Sequence, residues 1–126
     1  MAWKPSKRTL SNLDVHKDLV RVTLRALEIS SIDFVITDGG RTRREQEHYV
    51  KIGASKTMNS RHLGGFAVDF APLVRGKITW AWPAMTQVAN AFKQAGKELG
   101  VPIEWGGDWK TFKDGPHIQL SAKVYK

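Results

Sequence analysis

The segment SRHLGGFAVDFAP, residues 60–72, carries the strongest indication of the fold. Its second half alternates between large apolar residues and small or charged ones, which predicts a strand over residues 66–71 that Pro72 ends. Alternation gives this strand two faces, one with Phe66, Val68 and Phe70 and the other with Ala67, Asp69 and Ala71. The first face is expected to meet a hydrophobic core, whereas the second presents a carboxylate among small residues.

Apolar periodicity and turn residues predict the remaining elements. Helices are expected over residues 12–29, 43–52 and 83–99. Short strands are expected at residues 34–37, 76–80, 103–105 and 117–120, with loops at residues 53–65 and 106–108. This order predicts an α+β fold in which helices pack against a mainly antiparallel sheet.

The composition indicates one domain, because a chain of 126 residues with 41% hydrophobic residues can build a single core. We expect this domain to span residues 1–126, without a separate binding module. The absence of cysteine excludes disulfides, thiolate metal sites and a cysteine nucleophile. No apolar run is long enough for membrane insertion, and the N-terminus lacks the apolar core of a signal peptide, so synthesis in a cytoplasm is expected.

The formal net charge of +8 predicts attraction to a polyanion. Nucleic acid, an anionic membrane face and an acidic cell-wall polymer would each satisfy this charge. A basic surface with no specific ligand explains it equally well. The charge alone therefore does not choose among these partners.

Residues 60–69 and 114–117 together contain two histidines and two aspartates, in a chain that has four histidines. A hydrolytic zinc ion takes three ligands from His and Asp or Glu, and keeps a fourth position for a water whose pKa it lowers to about 7. His62, Asp69 and His117 supply three such ligands. Asp114 precedes His117 across a tight Gly-Pro turn, within reach of that water as a base.

Each of these residues also has an ordinary explanation. His62 can be an exposed loop histidine, and His117 can be half buried and bonded to a carbonyl group. A salt bridge to an arginine would satisfy Asp69 as well as a metal would. Asp114 begins a common Asp-Gly turn pair. A zinc site accounts for all four together, so the residues favour a zinc hydrolase, although one without the HExxH helix.

The same residues resemble two motifs of the superfamily of zinc D-alanyl-D-alanine carboxypeptidases and hedgehog-type peptidases. The superfamily's SxHxxGxAxD and [D/E]xxH motifs are matched by Ser60-x-His62-x-x-Gly65-x-Ala67-x-Asp69 and Asp114-x-x-His117. An upstream element of that superfamily is similar to Arg41-Thr42-x-x-x-Gln46. The short chain and the EWGGDW sequence at residues 104–109 resemble phage L-alanyl-D-glutamate peptidases, which serve as endolysins.

This resemblance implies roles in metal binding and catalysis. His62, Asp69 and His117 would bind zinc, and Asp114 would be the catalytic base. Arg41 would steady a carbonyl or carboxylate of the substrate through its planar donor fork.

Further residues are candidates for substrate contact, namely Gln46, Ser60, Trp105 and Trp109. Gln46 also fits an exposed helix amide, and the tryptophans also fit packing in the core. Asp108 would either orient a zinc-bound histidine or cap its turn. The two remaining histidines, at positions 16 and 48, are expected to be structural.

The resemblance implies a zinc-dependent peptidoglycan peptidase, a phage endolysin that hydrolyses the L-alanyl-D-glutamate bond of stem peptides. We expect a monomer that is made in the host bacterial cytoplasm, reaches the cell wall through a separate release factor and binds no nucleic acid. The alternatives are a D-alanyl-D-alanine carboxypeptidase or dipeptidase, a non-catalytic zinc-stabilised domain and a nucleic-acid-binding module.

Overall fold

A computed structural model describes residues 2–40, 43–53 and 61–125, except for the side chains of Arg43, Arg44, Gln46 and Glu47. The helices in these ranges are α1 (Lys7–Ser11), α2 (Lys17–Ile29), α3 (Arg43–Lys51) and α4 (Trp82–Leu99). The strands are β1 (Asp33–Asp38), β2 (Ala67–Val74), β3 (Lys77–Ile78), β4 (Ile103–Trp105) and β5 (His117–Leu120). A single 3₁₀ turn, Gly106–Asp108, follows β4. The predicted α+β fold is confirmed.

The described strands form one sheet in the order β1-β2-β5-β4, with β3 also paired to β2. All of these pairs are antiparallel, as the sequence predicts. In the register of β2 and β5, Asp69 lies directly opposite His117. Opposite residues of a strand pair point to the same face, so strand pairing alone brings this carboxylate and this imidazole together.

Helices α2 and α4 cover one face of the sheet. Val68 and Phe70 of β2 are fully buried on this face, in agreement with the predicted alternation. The same core includes Leu19, Val22, Ala26, Leu27, Val88, Ala89, Phe92, Ile118 and Leu120. Asp69 points to the opposite face of β2, and the candidate site is built there.

The longest of the described helices is α4, with 18 residues. Pro83 lies in its first turn, where a missing N–H costs no helical hydrogen bond. Its C-cap is Gly100, whose φ of 69° is the left-handed conformation that glycine accepts readily. None of the described helices combines the length and the apolar character that crossing a membrane requires.

The predicted start of the first long helix is wrong. In the structure α2 begins at Lys17, because His16 is its N-cap and the Nδ1 atom of this residue accepts a hydrogen bond from the Asp18 N–H at 3.1 Å. The preceding helix, α1, was not predicted. It packs beside β1, where Thr9 Oγ1 accepts from the Ile36 N–H at 3.0 Å and so satisfies one backbone donor on the outer edge of the sheet.

The prediction that Pro72 ends its strand is also wrong, because β2 continues to Val74. β5 pairs with β2 only up to Asp69, so the ladder on that side does not need an N–H from the proline. The Pro72 carbonyl still takes part in the sheet, since it accepts a hydrogen bond from the Thr79 N–H at 3.0 Å.

Candidate metal centre

Three of the predicted residues meet on the face of the sheet opposite α2 and α4. His62, Asp69 and His117 each offer one ligand atom, and these atoms all lie within 4.8 Å of one another. Asp69 Oδ1 lies 3.3 Å from His62 Nε2 and 3.3 Å from His117 Nδ1. Both imidazoles are buried, whereas the Asp69 side chain is 25% exposed. The cluster can therefore be reached from solvent on its carboxylate side.

Each histidine is oriented by a carbonyl oxygen outside the cluster. His62 Nδ1 donates to the backbone oxygen of Gly39 at 2.7 Å, and His117 Nε2 donates to Gln119 Oε1 at 2.8 Å. A carbonyl oxygen only accepts, so in the neutral ring the proton lies on that nitrogen. The other nitrogen, Nε2 in His62 and Nδ1 in His117, then turns its lone pair toward Asp69 and the centre of the cluster.

Close contact shifts the pKa values within the cluster. Burial alone would raise the pKa of Asp69, but once the two imidazoles are protonated, the hydrogen bonds that His117 and His62 then donate, together with their charge, hold it well below its usual range. Burial alone would lower the pKa of His117, yet the hydrogen bonds to Asp69 and Gln119 outweigh this effect and raise it. Asp69 is therefore ionised at every physiological pH, as a carboxylate ligand must be.

The donor set fits a transition metal ion. Two imidazole nitrogens and one carboxylate oxygen are the three protein ligands typical of hydrolytic zinc centres. Metal-binding histidines almost always donate their second N–H to a carbonyl or carboxylate, and both histidines here do so. The three residues could therefore hold a metal ion without a change of ring orientation.

Asp114 lies beside this cluster and is not one of its three members. Its backbone N–H donates to Gly106 at 3.1 Å, and its own carbonyl accepts from the His117 N–H at 3.2 Å, so a tight turn fixes it next to β5. Gly106 is required at this contact, because a Cβ there would overlap the Asp114 carbonyl oxygen. Burial, and next the charge of Asp69, raise the pKa of the Asp114 carboxyl.

The two predicted tryptophans occupy different environments. Trp105 is buried, and its Nε1 donates to the Gly115 carbonyl at 2.7 Å, which favours the packing alternative for this residue. Trp109 is partly exposed, and the centroid of its ring lies 5.3 Å from that of His117. Trp105 thus supports the turn that carries Asp114, while Trp109 lies at the border of the cluster.

Some predicted residues cannot be placed in the site. Arg41 and Ser60 lie outside the described residues, as does the side chain of Gln46, whose backbone belongs to α3. Asp108 forms an ion pair with Lys93 at 2.7 Å on the surface. The contact to a histidine considered for Asp108 is made by Gln119 instead.

Sequence reasoning missed Gln119 and Gly39. A signal for Gln119 was present, because it follows His117 by two residues in a predicted strand and the two side chains must share a face. Gly39 gave no comparable signal, since it contributes only its backbone oxygen.

Comparison with known proteins agrees with the motifs. A family model described as phage L-alanyl-D-glutamate peptidase matches residues 1–121. The L-alanyl-D-glutamate peptidase of Escherichia phage T5 is 40% identical over 130 residues, which cover 99% of this chain and 94% of that protein. The enzyme of the same name from Listeria phage A118 is 38% identical, and the match covers 94% of this chain and 42% of that protein.

Two bacterial proteins are also similar. The peptidoglycan L-alanyl-D-glutamate endopeptidase CwlK of Bacillus subtilis is 33% identical, with 91% of this chain and 81% of that protein covered. The crystal structure of the Serratia marcescens L-Ala D-Glu endopeptidase ChiX superposes with a TM-score of 0.87 at 44% identity, covering 94% of this chain and 90% of that chain. The chain thus belongs to the phage L-alanyl-D-glutamate peptidase family.

Proposed function

We propose that this protein is a zinc-dependent peptidoglycan peptidase that hydrolyses the L-alanyl-D-glutamate bond of stem peptides. The observation that carries the proposal is the cluster of His62, Asp69 and His117, with ligand atoms within 4.8 Å of one another and both imidazoles oriented by carbonyl oxygens. The bond is inferred from relatives whose names state this activity at 33% to 44% identity.

Zinc is proposed because the donors are two imidazoles and one carboxylate, the set typical of hydrolytic zinc sites, in a chain without cysteine. When bound at such a site, zinc lowers the pKa of a water molecule and polarises the scissile carbonyl. His62 and His117 are held for this role in the required tautomers, and Asp69 supplies the negative charge.

Asp114 is proposed as the proton carrier of the reaction. In the zinc-free protein, burial raises the pKa of this carboxyl, which favours its accepting a proton. Asp114 accepts a proton from the attacking water, whose oxygen forms a bond to the alanine carbonyl carbon. When the C–N bond breaks, Asp114 delivers the proton to the leaving nitrogen. The products are an L-alanine carboxyl group and a D-glutamate amino group.

Other side chains are proposed to bind the substrate. Arg41 would share the negative charge that develops on the carbonyl oxygen, or bind a substrate carboxylate. Gln46 and Ser60 are proposed to contact the stem peptide because they occupy motif positions. Trp109 is proposed to line the substrate path, since it is partly exposed beside His117.

We also propose how the protein reaches its substrate and in which oligomeric state it acts. Stem peptides carry carboxylates, so the net charge of +8 attracts the protein to its substrate. We propose that residues 1–126 act as one monomeric catalytic domain. It would be made in the host bacterial cytoplasm and reach the wall through a separate release factor.

Digestion of purified peptidoglycan tests the proposal. The zinc-loaded protein is expected to create new L-alanine carboxyl termini and D-glutamate amino termini, which mass spectrometry identifies. Release of terminal D-alanine alone would indicate a carboxypeptidase instead. If the protein binds zinc but leaves peptidoglycan intact, it is a non-catalytic domain. If it leaves peptidoglycan intact and binds DNA in a salt-sensitive manner, it is a nucleic-acid-binding module. His117→Ala serves as the control, because it removes one proposed ligand and should lose both zinc and cleavage.

A further inference from the structure

Gln119 contacts the cluster from behind His117. Both residues belong to β5 and lie two positions apart, so their side chains share one face of the sheet. The Gln119 side chain accepts the Nε2–H of His117 at 2.8 Å, and the residue is only 8% exposed. Removing one partner of a hydrogen bond buried to this degree leaves the other partner unsatisfied, which destabilises the folded protein.

The contact matters because two acceptors compete for the proton of His117. Asp69 Oδ1 lies 3.3 Å from Nδ1, and Gln119 Oε1 lies 2.8 Å from Nε2. A neutral imidazole carries only one proton. If the proton lay on Nδ1, it would bond to Asp69 and block the lone pair that a metal ion needs. Gln119 favours the tautomer in which Nδ1 is available.

The two orienting contacts of the cluster differ in kind. His62 donates to a backbone oxygen, that of Gly39, which a substitution can displace but cannot remove. His117 donates to a side chain, so a substitution at position 119 can remove this acceptor while the strand keeps its backbone hydrogen bonds.

We propose that Gln119 is a positioning residue for the metal ion, which holds the proton of His117 on Nε2 and thereby presents Nδ1 as a ligand. This inference rests on the zinc site of the proposed function. Partners of this kind typically change metal affinity by about 10- to 100-fold when they are removed.

The test compares the zinc affinity of Gln119→Leu and Gln119→Glu with that of the wild type, by competition with a chromogenic chelator. Gln119→Leu lacks the acceptor and is expected to bind zinc about 10- to 100-fold more weakly. Gln119→Glu keeps an acceptor oxygen and is expected to stay within a few-fold of the wild type. In the zinc-loaded protein, proton NMR should detect the Nε2–H of His117 in the wild type and in Gln119→Glu.

Thr23→Val is the matched control. It removes one fully buried hydrogen bond, from Thr23 Oγ1 to the Leu19 carbonyl at 2.8 Å, within helix α2 on the other side of the sheet. This variant should lose stability without losing zinc affinity. Should Gln119→Leu fail to fold, Gln119→Met provides an apolar side chain of similar length and flexibility.

Four outcomes are decisive. Normal zinc binding by the folded Leu or Met variant would overturn the inference, and so would an equal loss in the Leu and Glu variants, because packing and not the acceptor would then matter. A wild type that binds no zinc would refute the zinc site of the proposed function itself. A selective loss in the variants without an acceptor supports the positioning role.

Discussion

At the scale of single residues, Asp114 separates metal binding from turnover. Asp114→Asn keeps the shape of the side chain but removes its capacity to accept a proton. We expect zinc affinity to stay within a few-fold of the wild type, because Asp114 is not a member of the ligand cluster. The rate constant for cleavage of a stem peptide should fall by about 10²- to 10⁴-fold.

Steady-state cleavage and zinc titration of the same Asp114→Asn preparation make this comparison. His117→Ala provides the contrast, since it should lose zinc and activity together. A wild-type rate in Asp114→Asn would refute the assignment of the base.

The ion pair of Asp69 and His117 predicts how the stability of the zinc-free protein depends on pH. The lowered pKa of Asp69 contributes stability above about pH 4, which is lost as pH falls through the folded-state value. The raised pKa of His117 contributes stability below about pH 6.5, which is lost as pH rises through the folded-state value. Chelator-treated protein should therefore be most stable between about pH 4 and 6.5.

Thermal unfolding between pH 4 and 8, with and without zinc, tests this window. Zinc requires deprotonated histidines, so its stabilising effect should grow as pH rises, opposite to the trend without zinc. The His117→Ala variant should show a weaker decline above about pH 6.5 when zinc is absent. A melting temperature of zinc-free protein that rises steadily toward pH 8 would contradict the prediction.

At the scale of elements, Gly39 directly after β1 contributes its carbonyl oxygen to the candidate metal centre. A Cβ on Gly39 would overlap the backbone oxygen of Asn12, and the Asn12 side chain donates to the Ile36 carbonyl at 2.9 Å. Gly39→Ala is therefore expected to destabilise the protein by about 1–3 kcal/mol. It should also weaken zinc binding, because the displaced Gly39 carbonyl no longer orients His62.

Denaturant unfolding and zinc titration measure both effects of Gly39→Ala. Gly76→Asn is the control for losing a glycine without overlap, since nothing lies within 4 Å of a Cβ there. Its φ of 76° costs even asparagine some stability, but its zinc affinity should be unchanged. If Gly39→Ala leaves stability and zinc affinity unchanged, the backbone around residue 39 accommodates a Cβ and the prediction is wrong.

Elements with a long apolar pattern could be predicted from the sequence. The helix over residues 83–99 and the alternation of β2 are both confirmed. Helix α1 could not be predicted, because in five residues only Thr9 is buried and no periodicity develops. The extension of β2 past Pro72 was missed because it depends on neighbours that are distant in sequence, in particular Thr79.

The candidate site likewise contains side chains that a sequence motif identifies and contacts that only the folded chain shows. The motifs pointed to His62, Asp69 and His117, because each acts through its own side chain, and the structure brings these three together. The orienting oxygen of Gly39 was not foreseeable, since any residue has a backbone carbonyl and only the folded chain shows which one faces His62. Gln119 could have been found by extending the two-residue alternation of the last strand.

At the scale of the whole molecule, the net charge of +8 predicts a salt-dependent activity on the intact wall. Long-range attraction to an acidic polymer weakens as the Debye length falls from about 10 Å at 0.1 M salt to about 3 Å at 1 M. Hydrolysis of intact sacculi should slow over this range much more than hydrolysis of a free stem peptide. Turbidity and peptide assays at matched ionic strengths test this, and equal salt dependence would show that the charge does not guide the protein to the wall.

The strand order β1-β2-β5-β4 also determines when the centre can exist. β5 enters the sheet between β2 and β4, which the ribosome has already made. Until residues 117–120 emerge, β2 and β4 have no common neighbour, and Asp69 lacks the imidazole that faces it. A nascent chain therefore offers an incomplete set of candidate ligands, and the proposed metal ion would bind only after translation of β5.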